Sequence, residues 1–170
     1  MNRGVRMVLD LTRLFEEEGE EIRFQQEVDL SGVELAGVYP VSGPVQVEGI
    51  ARNVAGVVTV SYAARYSLEI PCDRCLTPVR SEKELRSEQV AVRKVHGEES
   101  DELLLLPDGL LDLDEAVYAD VVLALPAKTL CSEDCRGLCP VCGVNRNRQN
   151  CGCRIENGRN RLDSLRELLQ

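Results

Sequence analysis

The sequence predicts an α+β protein: an antiparallel β-meander or partly closed barrel with a few helices, followed by a C-terminal lobe stapled by cysteines. Three observations predict it. Val58, Val60, Tyr62, Ala64, Tyr66, Leu68 and Ile70 alternate with Thr59, Ser61, Ala63, Arg65, Ser67 and Glu69. That period of two gives a strand one buried face. Asp112 and Glu115 stand at the spacing of a helix N-cap and its N3 partner, ahead of an apolar stretch. Six of the eight cysteines lie beyond residue 128.

Taken in order, Leu11, Leu14 and Phe15 after Asp10 suggest a short N-terminal helix. An acidic loop follows at Glu16–Glu21, where five carboxylates flank Gly19. Ile22 with Phe24, and Val45 with Val47, alternate with polar residues as strands do, while Gly43-Pro44 and Asn53–Gly56 read as turns. The strand through 58–70 is long enough to need a bulge or bend. Pro71–Pro78 ends it, and a strand through Val90 and Val92 returns beside it, so Cys72 and Cys75 sit at a hairpin tip. Glu98–Glu102 forms a second acidic loop. The helix Glu115–Leu125 is apolar on nearly every face, is expected to be buried, and is limited by Pro126. Asn160 caps a last helix with Leu162, Leu165, Leu168 and Leu169 on one stripe. The expected division is a sheet domain over 1–127, containing helix 115–125, and a cysteine-rich lobe with a terminal helix over 128–170.

Composition narrows the function. Aromatic residues make up 4% of the 170, with no Trp, so the core must rely on Val, Leu, Ile and Ala. Stacking platforms for single-stranded nucleic acid need more aromatic surface than this. The net charge of −9 is uneven. Residues 128–170 carry 8 Lys/Arg against 5 Asp/Glu, whereas residues 1–127 carry 12 against 24. An acidic body of this kind repels phosphate and suits basic protein partners, while the basic tail can still touch RNA. No apolar run approaches the ~18 residues of a membrane span. The N-terminus shows no apolar core or cleavage site of a signal peptide. The expectation is a cytoplasmic protein, in whose reducing surroundings thiols bind metal more often than they form disulfides.

The cysteines read Cys72-x2-Cys75, then Cys131-x3-Cys135-x3-Cys139-x2-Cys142-x8-Cys151-x-Cys153. Zinc takes four tetrahedral ligands, and Cys-x2-Cys offers two from one tight turn. In Leu138-Cys139-Pro140-Val141-Cys142-Gly143 the proline fixes the turn and the glycine tolerates a positive φ. Eight thiols divide into two four-cysteine sites, so one or two Zn²⁺ are expected. Either Cys151/Cys153 or Cys131/Cys135 can complete the Cys139/Cys142 pair, leaving the other to Cys72/Cys75. Few apolar side chains precede the last helix in the lobe, so metal must replace a core there, which makes the site structural. Catalysis finds little support: the one histidine, His96, sits in a polar loop, and no phosphate-binding loop or nucleophile elbow is present. A thioredoxin-like Cys-x2-Cys belongs at a helix N-terminus, not at a strand tip. No enzymatic activity, small-molecule substrate or membrane association is expected.

The segments Tyr39-Pro-Val-Ser-Gly-Pro-Val, Pro71-Cys-Asp-Arg-Cys-Leu, Leu111-Asp-Leu-Asp-Glu and Leu130-Cys-Ser-Glu-Asp-Cys-Arg-Gly-Leu-Cys-Pro-Val-Cys-Gly-Val-Asn resemble the YceD family. The resemblance implies a role in accumulation of large-subunit ribosomal RNA, hence ribosome biogenesis, with no catalytic activity. Its partner would be large-subunit RNA or a pre-ribosome, or a basic ribosomal protein held by the acidic body. Arg74, Arg136, Arg146, Arg148 and Arg154 stand beside the cysteine turns and are the candidate RNA phosphate contacts. The rival reading is a zinc–thiolate redox switch or redox-regulated chaperone, since metal-bound thiolates are oxidisable. A zinc-finger transcription regulator is disfavoured by the acidic body and the lack of a basic recognition helix.

Overall fold

A computed structural model describes residues 7–94 and 103–153. The expected terminal helix from Asn160, the loop Glu98–Glu102, His96 and Arg154 lie outside them. The chain forms two compact units, Met1–Ile70 with Val79–Ala127, and Pro71–Pro78 with Lys128–Gln170.

The first unit is mostly β. Strands β1 (Val8–Asp10) and β7 (Leu110–Asp112) pair antiparallel as a small sheet. Strands β2 (Glu21–Asp29), β3 (Val41–Val54), β4 (Val57–Pro71), β5 (Pro78–Val92) and β6 (Leu103–Leu105) form a five-stranded sheet in that order. β2–β3 and β3–β4 are antiparallel. The cross-strand contacts Arg65–Glu84, Ser67–Glu82 and Glu69–Arg80 step in opposite senses along β4 and β5, so that hairpin is antiparallel too. β2 to β5 are thus the expected meander. β6 instead lies parallel to β5, which makes the sheet mixed, and the strand order is open rather than closed into a barrel.

Alternation sets the sheet's two faces. Along β4, Val58, Val60, Tyr62, Ala64, Tyr66 and Leu68 are buried; from the neighbouring strands Phe24, Val28, Val45, Val47 and Ala51 join the same core. The other face carries a polar ladder: Gln46 donates to Glu27 at 2.7 Å, and Arg65 reaches Glu48 at 2.8 Å and Glu84 at 3.0 Å. The expected irregularity lies not in β4 but in its partner, where the register shifts between Ser42 and Gln46. Gly43 at φ +80 and Pro44 therefore make a bulge inside β3, not a turn between strands. At Gly49 an added Cβ would run into the Phe24 ring and come within 2.6 Å of the Ser61 carbonyl oxygen, so only glycine fits beneath that ring.

The β3–β4 turn uses Ala55 at φ +53 and Gly56 at φ +81, the two positive angles of a two-residue hairpin turn. Asn53 beside it is buried, and all its polar groups are used. Its Nδ2 donates to the Leu14 carbonyl at 2.5 Å, its Oδ1 accepts from Gly56 N at 3.0 Å, and its backbone pairs with Gly19 and Glu20. The expected helix around Leu11–Phe15 is a single 3-10 turn, Arg13–Phe15, whose Leu14 enters the core.

Asp112 caps α1 (Leu113–Leu123), accepting from Glu115 N at 3.1 Å. The helix starts and ends two residues earlier than the expected 115–125 and is not buried all round. Leu113, Val117 and Val121, four residues apart, face the core, while Tyr118 and Leu123 are exposed. Tyr62 donates its hydroxyl to Asp120, and burial holds that hydroxyl protonated far above its usual range. Among the described residues α1 is the one α-helix, and no helix is long and apolar enough to cross a membrane.

Candidate metal centre

Among the described residues of the second unit, the buried hydrophobic positions are Cys72, Cys75, Cys135 and Cys139, so the geometry there is organised around sulfur. The chain leaves β4 at Pro71 and re-enters β5 at Pro78, so the turn between them is the first cysteine knuckle. Cys72 N donates to the Thr77 carbonyl at 2.9 Å and Leu76 N to the Cys72 carbonyl at 2.9 Å. The second knuckle repeats this pattern at the same offsets, with Cys139 N to Val144 and Gly143 N to Cys139, both at 2.8 Å. In both, the residue after the second cysteine is left-handed: Leu76 at φ +58 and Gly143 at φ +72. Leucine tolerates that conformation poorly, so the first knuckle carries backbone strain that the glycine of the second avoids.

Pairing is settled by space rather than by sequence distance. Cys72, Cys75, Cys131 and Cys135 form one group, and Cys139, Cys142, Cys151 and Cys153 form the other, with the sulfur atoms of each group within 4.8 Å of one another. Cys72 and Cys135 are 3.8 Å apart, and Cys75 and Cys131 are 3.5 Å apart. Sulfurs at 2.3 Å from one tetrahedral ion would be about 3.8 Å apart. A disulfide needs about 2.05 Å, and all eight cysteines are free. The residues therefore fit one metal ion per tetrad.

Contacts around the first tetrad hold its two distant pairs together. Asp73 N donates to the Thr129 carbonyl at 2.9 Å, and Thr129 N returns a bond to the Asp73 carboxylate at 2.8 Å. The Arg74 guanidinium reaches over to the Cys135 carbonyl at 2.9 Å, and the Arg74 carbonyl accepts from Leu138 N at 2.9 Å. Gly137 lies so close that a Cβ there would be 2.9 Å from the same carbonyl oxygen. Of the arginines expected to face RNA, Arg74 thus already supports the cysteine turns. Arg136, Arg146 and Arg148 are exposed in this unit.

Four thiols this close cannot all ionise without a cation. The Thr77 hydroxyl and amide pull the Cys75 thiol down to about 6. The Cys142 and Val141 amides do the same for Cys139, also to about 6. The hydrogen bond to Cys75 pushes Cys131 up to about 12, and the bond to Cys142 pushes Cys153 up to about 12. The raised thiols keep their protons at neutral pH, so an incoming metal must displace them. Binding therefore releases protons, and affinity should rise with pH. Chelator competition at pH 6 and pH 8 checks this; metal should be held more weakly at pH 6, and equal affinities would contradict it.

Sequence reasoning missed Thr77, Gly137, Asn145 and Asn147 as supports of the site. The signal was present in Asn145-Arg146-Asn147, two side-chain amides two residues apart between ligand pairs, where Asx-type turns form.

A family model described as "Large ribosomal RNA subunit accumulation protein YceD" matches residues 60–169, which take in most of β4, α1 and both tetrads. The chain belongs to the YceD family. An uncharacterized protein of Mycobacterium leprae (strain TN) is 30% identical over 152 residues, covering 82% of this chain and 67% of that one. Uncharacterized proteins of Mycobacterium tuberculosis (strain H37Rv) and Mycobacterium bovis are 35% identical over 108 residues, covering 58% of this chain. The aligned stretch spans about half the length of these last two, 48% of each. No solved structure matches. The YceD description names accumulation of ribosomal RNA rather than a reaction.

Proposed function

We propose that this chain is a non-enzymatic, cytoplasmic zinc-binding factor in large ribosomal subunit biogenesis, promoting accumulation of the large-subunit RNA. One observation carries the metal part: all eight cysteines are taken up in two closed four-sulfur groups. Such a donor set suits zinc in a structural role, because it leaves no open position for substrate or water. Sulfurs all within 4.8 Å of one another would suit a single ion, which favours zinc over a multi-iron cluster. The family description supports the ribosomal part.

Two routes lead to that outcome. Arg136, Arg146 and Arg148, with Arg74 and Arg154, would grip RNA phosphates. Alternatively the acidic body would hold a basic ribosomal protein before it joins the RNA. We favour the second, since a net charge of −9 opposes docking on naked RNA. In a deletion strain, large-subunit RNA should fall relative to small-subunit RNA, and tagged protein should enrich large-subunit precursors. Charge reversal over Glu16–Glu21 should then weaken partner capture more than loss of the arginines does. Tight, salt-sensitive binding of purified protein to isolated large-subunit RNA would reverse the choice of route. Normal ribosome profiles with no ribosomal component captured would sink both.

The redox switch retains one supporting observation: Cys131, Cys142 and Cys153 are exposed, so an oxidant can reach a thiolate in each tetrad. Zinc release on peroxide treatment, accompanied by chaperone activity, would favour it.

A further inference from the structure

We propose that Asn145 and Asn147 are positioning residues that couple the two cysteine tetrads. Metal held by Cys139, Cys142, Cys151 and Cys153 would thereby raise the metal affinity of Cys72, Cys75, Cys131 and Cys135. The proposal rests on the reading of both tetrads as metal sites.

Both asparagines lie in the loop between Cys142 and Cys151, which belongs to the second tetrad, yet their side chains serve the first. Asn147 Nδ2 donates to the Cys135 sulfur at 3.2 Å, while its Oδ1 accepts from Arg136 N at 2.8 Å. Asn145 Nδ2 donates to Thr77 Oγ1 at 3.3 Å, and that oxygen lies 3.3 Å from the Cys75 sulfur. The orientation of each amide is fixed by its other contact. Arg136 N–H can only donate, so the Asn147 atom facing it must be the oxygen, which turns the NH₂ toward Cys135. Asn147 N–H donates to Asn145 Oδ1 at 3.0 Å and fixes the second amide in the same way.

The loop is tied to the link between the tetrads. Arg146 N donates to the Gly137 carbonyl at 3.0 Å, and Leu138 bridges to Asn145, both partners lying between Cys135 and Cys139. Four thiolates around a divalent ion leave a net charge of −2, and every N–H aimed at a sulfur lowers the cost of keeping it ionised. Metal at the second tetrad pins the loop at both ends. It thereby orders the donors to Cys135 and Thr77 in advance. Linkage requires the converse: metal at the first tetrad strengthens the second by the same factor.

The test uses the full chain with Co²⁺ as a visible probe and Zn²⁺ in chelator competition. Asn147→Ala removes both contacts, whereas Asn147→Asp keeps the acceptor for Arg136 N and loses the donor to sulfur. Each should weaken the first tetrad about 10–100-fold and shift its sulfur-to-cobalt charge-transfer band, which a merely structural role would not move. The double variant Cys151→Ser/Cys153→Ser should lower first-tetrad affinity comparably, and adding Asn147→Ala to it should cost little more. A first tetrad that loads with unchanged affinity in all these variants would overturn the coupling alone. A wild-type chain taking up neither metal would overturn the metal reading together with it.

Discussion

Stripping the metal with a strong chelator should unfold residues 71–78 and 128–153 and leave the five-stranded sheet standing. The sheet has its own core in β2 to β4 and α1, whereas among the described residues of the second unit the buried side chains are mostly cysteines. Structural zinc contributes about 10–16 kcal/mol of apparent folding free energy to zinc-finger peptides, which a lobe of this kind cannot replace. Hydrogen exchange should show loss of protection at Leu76, Leu138, Cys139 and Gly143 while Val47, Val60 and Ala64 keep theirs. Uniform loss across both units would show one cooperative fold instead. Cys139→Ser or Cys142→Ser should act in the same direction, confined to the second unit.

The reciprocal variant is Val117→Asp. Val117 is fully buried at the centre of the α1 stripe. A carboxylate there has no partner and should cost about 3–5 kcal/mol, a large part of a domain's roughly 5–15 kcal/mol. The sheet unit should lose most of its stability, read as a fall in its thermal unfolding temperature. Tyr118→Asp, one residue on and exposed, should cost about 0.5 kcal/mol or less. Metal should remain bound in Val117→Asp, though more weakly. Its first tetrad would then close a long flexible loop, at about 4 kcal/mol by the loop-entropy estimate, well below what zinc supplies. Complete loss of metal from Val117→Asp, or equal damage from Tyr118→Asp, would contradict the division into two units.

Much of the sheet was legible in the residues. The alternation in β4 identified its buried face from Val58 to Leu68, with Ile70 only half-buried, and Asp112 was recognisable as the cap that starts α1. Where the reading slipped, it relied on local signals that tertiary context overrode. Gly43-Pro44 looks like a turn, but inside a paired strand the same two residues make a bulge. The stretch 115–125 looks apolar on nearly every face because, apart from Glu115 and Asp120, it holds only Ala, Val, Tyr and Leu, yet burial is decided by which face meets the sheet. β1, β6 and β7 are three residues each, too short for a periodic pattern to show.

The sequence by itself determined the donor set: eight cysteines in turn-forming pairs, with glycine where the second knuckle needs a positive φ. It also determined an acidic body and the family motifs. Only the tertiary structure decided which pairs share a site. Cys75 and Cys131 are 56 residues apart in sequence, yet their sulfurs lie 3.5 Å apart, beside the hydrogen-bonded pair Asp73 and Thr129. Sequence separation is blind to such contacts, since closing a loop costs only the logarithm of its length. The same holds for Asn145 and Asn147. Their chemistry is generic until the fold aims one amide at a sulfur and the other at the hydroxyl beside one.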